Sequence, residues 1–427
     1  MNQSLYQSTT QPITHSDHKP RSGPLTGLRV LDMSRILAGP WCGQLLADLG
    51  AEVIKVERPG KGDDTRGWGP PFLKDADGRD TSESAYYLCA NRGKQSITLD
   101  IAKPEGQAIA RELAQHADVL LENYKVGDLK RYGLDYETLS VLNPRLVYCS
   151  ITGFGQDGPL KDRAGYDFMV QGMGGLMSIT GERDDLPGGG PQKAGVAIAD
   201  LMTGMYSTVA LLAAIEERHR SGRGQYIDMA LLDTQVAWLA NQNTNYLIGG
   251  EIPKRMGNAH PNVVPYQTFP TQDGDLILAV GNDGQFKRFC EAAGIATTGN
   301  DPRFASNALR IANRDACIAA IAPAMKRKTT AQWMAVLEPL GVPCGPIDRL
   351  DTVFANPQIR HRGLQVDVPH PLTGTVPLVA NPIKYSRTPL DYQVPPPLLG
   401  QHTEELLRGL LGKSAEEISA LRGAGII

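Results

Sequence analysis

From about residue 27, short apolar runs alternate with stretches of helical periodicity. "LRVLDMS" (28–34) reads as a buried strand, and "WCGQLLADLG" (41–50) as a helix closed by Gly50. "AEVIKVER" (51–58) is a second strand. After a long Gly/Pro-rich loop, "QSITLDI" (95–101) is extended. The helix "PEGQAIARELAQH" (104–116) then places Pro104 in its first turn, where a missing N–H leaves no helical bond unmade. "ADVLLENY" (117–124) and "RLVYCSITGFG" (145–155) complete the set of strands. Near-continuous apolar strands separated by helices predict a parallel, doubly wound α/β sheet of the Rossmann-like kind.

The texture then changes. Two glycine- and proline-rich loops, "GFGQDGPLKDRAGYD" (153–167) and "GERDDLPGGGPQKAG" (181–195), flank the apolar "FMVQGMGGLMSI" (168–179). A helix is expected from near Asp200 to about His219, stopped by "SGRG", and "QYIDMALL" (225–232) leads into a long helix reaching about Leu247. "VVPYQTFPTQDGDLILAV" (263–280) reads as a β-hairpin turning near "QDG", followed by helices in "GQFKRFCEAAG" and "TAQWMAVLEPLG". Short extended pieces and a last helix, "TEELLRGLLG", close the chain. At 427 residues the chain is too long for one simple core. The pattern divides it into a flexible tail (1–23), a large α/β domain (24–249), a smaller α+β domain (250–345) and a C-terminal segment (346–427).

Charge narrows the function classes. A net charge of -3 provides no basic field for nucleic acid, so a polyanionic ligand would have to be held by local Arg and Lys. The six cysteines are scattered without a CxxC pair, as expected of reduced thiols in a cytoplasmic protein. No apolar run reaches the roughly 18 residues of a membrane span, and the polar N-terminus has no signal core. The turn after the first strand, "DMSRILAGPWCG", lacks the G-x-G-x-x-G of a dinucleotide site, although Glu57 follows the second strand. The eight histidines sit singly with no HExxH spacing, no P-loop lysine motif occurs, and no G-x-S-x-G elbow occurs.

One carboxylate then stands out. In "AGVAIADLMTGMYSTVALLAAIEERH", Asp200 sits alone at an apolar helix start. It can be read as a helix cap, its oxygen accepting from first-turn amides. It can equally be read as a reactive group that those amides and the positive helix end keep ionised at neutral pH, able to attack an activated acyl carbon. The small neighbours Ala197, Ala199 and Gly204 leave room for a substrate. Local pattern leaves both readings open.

Longer motifs carry a resemblance. "GLRVLDMSRILAGPWCGQLLADLGAEVIKVERPGKGDDTRGWGPPF", "NRGKQSITLDI", "YCSITGFGQDGP", "RAGYD", "ADLMTGMY" and "SGRGQYIDMALLD" occur in that order, followed by "RMGNAHPNVVPYQTFPTQDG", "VPCGPI", "NPQIRHRGL" and "PPPLLGQHT". From about residue 24 to the C-terminus the chain resembles class III CoA-transferases, the formyl-CoA transferase and carnitine CoA-transferase superfamily, and within it the succinate/glutarate-type members. The resemblance implies Asp200, in an Asp-x-x-x-Gly motif, as nucleophile, with Tyr166 and Asp167 beside the reacting carbonyl. It implies CoA contacts at Leu37, Ala38, Arg58, Leu99, Asn123 and Arg131, and a loop around Met256–Ala259, with Gly257, Asn258 and His260, closing over the intermediate. It further implies that both chain ends build the large domain, that two chains form an interlocked homodimer, and that no cofactor is bound, CoA entering as part of the substrate. Acyl-CoA and a carboxylic acid are the implied substrates; Arg255 and His260 are candidates for a distal carboxylate. An α-methylacyl-CoA racemase of the same superfamily would carry His where Tyr166 stands and Glu near Pro270. A non-catalytic CoA-binding protein is the remaining alternative.

Overall fold

The computed structural model describes residues 22–427, so the proposed tail lies almost wholly outside the described residues. Contact density divides the chain into two compact units. The first comprises the chain up to Gln156, Gly204–Met229 and Val366–Ile427; the second comprises Asp157–Thr203 and Ala230–Gln365.

The first unit is built on a six-stranded sheet: β1 (Arg29–Asp32), β2 (Glu52–Glu57), β3 (Lys94–Thr98), β4 (Val119–Glu122), β5 (Val147–Thr152) and β6 (Tyr226–Ala230). The spatial order is β3-β2-β1-β4-β5-β6, the doubly wound order, with β3-β2-β1-β4-β5 paired in parallel. Helices α1 (Ala38–Asp48) and α2 (Pro104–Gln115) supply crossovers, and Gly50 ends the first at φ 99° as its position predicted. Leu31, Ile54, Ile97, Leu113, Leu120 and Tyr148 form one core with Leu406, Leu407 and Ile418 from the last two helices and with Ile426 beyond them. The C-terminal segment is thus stitched to the sheet edge: Thr98 N–H donates to Thr403 Oγ1 (3.0 Å), and Asp100 N–H to Ile426 O (2.7 Å).

Beneath the loops of this sheet lies a network of buried charge. Lys94 and Asp32 are both fully buried and meet at 2.8 Å. Lys55 pairs with Asp63 at 2.8 Å and also donates to Ser34 O. Arg66 bridges Glu57 and Glu83 while stacking over the Tyr87 ring at 3.7 Å. Burial alone would raise the Asp32 carboxyl, but Lys94 and Lys55 hold it below the usual carboxylate range. Gly43 of α1 leaves space for this pair, since a Cβ there would sit 2.6 Å from Asp32 Oδ2 and 3.1 Å from Lys94 Nζ.

In the second unit a three-stranded antiparallel sheet, β7 (Tyr266–Pro270), β8 (Asp275–Ala279) and β9 (Cys344–Pro346), packs on Phe269, Phe286, Phe289 and Trp333. The expected hairpin is present, with Thr271 N–H closing onto Gly274 O at 2.8 Å. The apolar 168–179 stretch, by contrast, forms two short helices, α3 (Asp167–Met173) and a turn at Leu176–Ile179. These residues group with 230–365 because α3 packs on the helix Leu231–Ala237, while Gly257 N–H bonds Gly181 O and Arg255 bonds Ser178 O. The units therefore have different bounds from the 24–249 and 250–345 segments.

Two expectations are corrected. The long helix to Leu247 is broken into Leu231–Ala237 and Asn241–Gly249, with Ala240 at φ 47°. The Asn243 amide donates to Val236 O at 2.6 Å, competing with the helical ladder there. Secondly, α4 (Ile198–Ser221) is long and apolar enough to cross a membrane by length and composition, with a mean hydropathy of 1.6. Thr203, Ser207 and Thr208 interrupt its apolar pattern. Thr203 and Thr208 turn their hydroxyls back onto Ala199 O and Gly204 O. Leu211, Ala214 and Ile215 are buried in protein, and buried Arg218 pairs with Asp118 at 3.0 Å.

Replacing Lys94 with Met should strand the Asp32 charge and cost about 3–5 kcal/mol in guanidinium denaturation. The double change with Asp32→Leu should recover part of that loss, because no unpaired charge remains.

Candidate functional site

In the second unit, the chemistry gathers at the start of α4. Asp200 is the third residue of this helix rather than its cap. The cap comes from elsewhere: Asp167, the first residue of α3, accepts through Oδ1 from Ala199 N–H (2.8 Å) and Asp200 N–H (3.4 Å). Its Oδ2 accepts from Gln171 Nε2 at 2.7 Å, and Gln171 Oε1 in turn accepts from Ala194 N–H at 2.9 Å.

The Asp200 carboxylate is left without a hydrogen-bond donor among the described residues and is half-buried. Burial, together with the Asp167 charge, pushes its pKa up to about 7. This corrects the expectation that helix-start amides would keep it firmly ionised at neutral pH. The amides are already engaged by Asp167, whose negative charge adds to the desolvation. Both carboxylates therefore share one helix start in different roles.

Tyr166 is 62% exposed and stands at the N-cap of α3. The loop residues are placed by their own contacts. Gly257 adopts φ 58°, and a Cβ there would lie 2.9 Å from Glu182 Oε1. Asn258 donates to Thr268 Oγ1 at 3.1 Å, and His260 Nδ1 accepts from Asn262 N–H at 3.0 Å beside the Tyr266 ring. Arg255 bonds Ser178 O and pairs with Asp184, leaving only its Nε buried without a partner.

The first unit carries a separate cleft of about 450 Å³. It lies outside the carboxyl ends of the strands where the sheet order reverses between β1 and β4, the usual ligand position of this fold. Of the predicted contacts, Arg58, Leu99 and Arg131 line it. Arg35 and Lys61 also line it, and sequence reasoning missed both; their signal was proximity to "ILAGP" and to Arg58 in the glycine-containing "ERPGKG" turn. Arg58 and Lys61 are exposed and make no ion pair among the described residues, whereas Arg35 pairs with Asp64 at 2.9 Å and Arg131 lies 3.6 Å from Asp128.

Leu37, Ala38 and Asn123 frame the cleft rather than line it. Leu37 is the uncapped N-cap of α1, and Ala38 is buried behind it. Ile36, at φ 73°, is held by its N–H donating to the Asp63 carboxylate at 3.2 Å. The Asn123 amide is spent on Arg35, accepting from its N–H (2.9 Å) and donating to its carbonyl (2.8 Å). Gly204 has a local reason as well, since a Cβ would meet Ala38 O at 2.6 Å, so glycine lets α4 lie directly on α1. Among the described residues no group of three or more His, Cys, Asp or Glu is arranged to hold a metal ion.

Comparison with known proteins extends these observations. The CoA-transferase family III model matches residues 25–403. A succinate–glutarate CoA-transferase from Agrobacterium fabrum is 53% identical over 395 residues, spanning 92% of this chain and 98% of its own. A succinyl-CoA:glutarate CoA-transferase from Homo sapiens is 43% identical over 404 residues, spanning 95% and 90%. Among solved structures, a CAIB/BAIF family protein from Brucella suis matches with a TM-score of 0.80 at 49% identity, covering 91% of this chain and 100% of that one. A match of that extent fixes membership: the chain belongs to CoA-transferase family III and is an enzyme of the CoA-transferase class.

Proposed function

We propose that the protein moves CoA from succinyl-CoA to a dicarboxylic acid such as glutarate, with Asp200 as the nucleophile. The observation that carries this reading is the Asp200 carboxylate, half-buried, unbonded and raised toward neutrality beside Asp167. A carboxylate without hydrogen bonds to break is a better nucleophile than a solvated one. Its attack on the thioester carbonyl expels CoA thiolate and forms a mixed anhydride. The thiolate returns to the aspartyl carbonyl, releasing the donor acid and leaving an aspartyl-CoA thioester. The acceptor carboxylate attacks that thioester and expels the thiolate again. Final attack of the thiolate on the acceptor's acyl carbon yields the new acyl-CoA and restores Asp200.

In this reading Arg58 and Arg131, with Lys61, hold the CoA phosphates, guanidinium being suited to bidentate contact. Leu37, Ala38, Leu99 and Asn123 shape the rest of the CoA site. Tyr166 lies beside the reacting carbonyl, and Gly257, Asn258 and His260 close over the intermediate. CoA enters as substrate, with no resident cofactor. The racemase alternative is disfavoured because Pro270, at the end of β7, has no proton to transfer, and Tyr166 stands in place of the histidine base. The protein is proposed to be cytoplasmic, in keeping with its six free cysteines. It is also proposed to form an interlocked homodimer. The exposure of Leu247 (76%), Ile248 (86%) and Ile252 (78%) supports a partner chain covering the second unit.

Wild-type protein incubated with succinyl-CoA should yield a CoA-sized adduct on the peptide bearing Asp200, seen by mass spectrometry. Asp200→Asn should lose the adduct and the turnover while still binding CoA; normal turnover in that variant would defeat the mechanism. Against a panel of acids, glutarate and other dicarboxylates should exchange and formate should not; exchange of monocarboxylates alone would remove the dicarboxylate assignment. Arg58→Ala and Lys61→Ala should each raise KM for the acyl-CoA by about tenfold, since a charge-assisted bond is worth about 1.5–3 kcal/mol. The effect should shrink as salt rises.

A further inference from the structure

We propose that Gln171 is a positioning residue of the exchange reaction: from inside α3 it locks the Asp167 carboxylate against the start of α4, beside Asp200. The inference rests on the reading of Asp200 as nucleophile.

Gln171 is completely buried, yet every polar atom of its amide is used. Nε2 donates to Asp167 Oδ2 (2.7 Å) and reaches Val196 O (3.4 Å), while Oε1 accepts from Ala194 N–H (2.9 Å). The amide thus ties α3 to the segment 194–196 that leads into α4. It also fixes the face that Asp167 turns to Asp200, because one carboxylate oxygen is taken by Gln171 and the other by the Ala199 and Asp200 amides. The job calls for an amide. An ionised Glu at this place could not donate to Asp167, and an apolar side chain would release it.

Asp167 is the charged group that acts on Asp200 among the described residues. The nearby Lys193 is exposed and turns its ammonium to Ala194 O at 3.2 Å. Holding two carboxylates together raises the free energy of the uncoupled enzyme. Acylation of Asp200 removes its charge, so the repulsion vanishes in the anhydride and in the aspartyl thioester. A fixed Asp167 therefore favours the covalent states over the free anion, and it does so only while Gln171 prevents it from swinging away.

The test is the pH dependence of adduct formation from succinyl-CoA by the full chain in single turnover, read by mass spectrometry of the Asp200 peptide. Ionised Asp200 is the attacking form, so the wild-type rate should rise with pH through about 7 and level off above it. Gln171→Met keeps length and apolar packing but loses all three bonds. It should move this limb to lower pH by about one unit and reduce the adduct at equilibrium by about tenfold. Asp167→Asn, which keeps an oxygen for the Ala199 amide, should move the limb the same way, and it carries the test if Gln171→Met does not fold. An unmoved limb in either variant, even with a lowered Tm, would overturn the inference and leave Gln171 with a packing role. Absence of any adduct in the wild type would instead defeat the nucleophile assignment itself.

Discussion

Burying charge in the first unit is the constraint from which its site follows. Lys55, Lys94 and Arg66 are taken out of water and must be met in full by Asp32, Asp63, Glu57 and Glu83. An incomplete set would leave an uncompensated charge in a low-dielectric interior. Because these charged groups lie on β1, β2, β3 and the connection between β2 and β3, pairing them dictates where the loop after β2 runs. The same loop carries Arg58 and Lys61 to the cleft, and its Asp63 holds Ile36 in a left-handed conformation at the threshold of α1.

The second unit solves a different electrostatic problem. Helix starts are commonly satisfied by a Ser, Thr, Asn or Asp side chain on the residue just before the helix. Here the satisfying carboxylate arrives from α3, which frees the side chain within the helix from that duty. The consequence is a pair of acids with opposite circumstances. Asp167 is bonded through both carboxylate oxygens, whereas the Asp200 carboxylate has no donor among the described residues. The difference in bonding, rather than in residue type, separates the two acids.

Much of the fold was legible in the pattern of the chain. The five parallel strands β1–β5 read out directly because strands buried on both faces need continuous apolar residues, as in Val119–Glu122 and Val147–Thr152. The hairpin Tyr266–Ala279 was legible for its turn chemistry. The break at Ala240 was not, since it depends on the Asn243 side chain reaching back to Val236 O. At the site, Asp200 was visible as an isolated acid, and the resemblance pointed to Asp167. The division of labour between them was invisible, because a cap from 33 residues away leaves no local pattern. Gln171 was missed for the same reason: a glutamine among apolar residues gives no sign of which carboxylate it holds. The hidden partners of Lys94 and Arg66 likewise depend on tertiary contacts.

The reciprocal bonds between Asn123 and Arg35 have a consequence for recognition. They join the chain leaving β1 to the chain leaving β4 on the two sides of the point where the sheet reverses. The backbone there gives up its conformational freedom when the protein folds rather than when a ligand arrives. A nucleotide-bearing substrate reaching this cleft meets a rim already ordered, so less of its interaction energy is lost to arranging the receptor. Under the proposed function, with Arg58 and Lys61 exposed beside it, such a preformed rim favours association limited by encounter rather than by rearrangement.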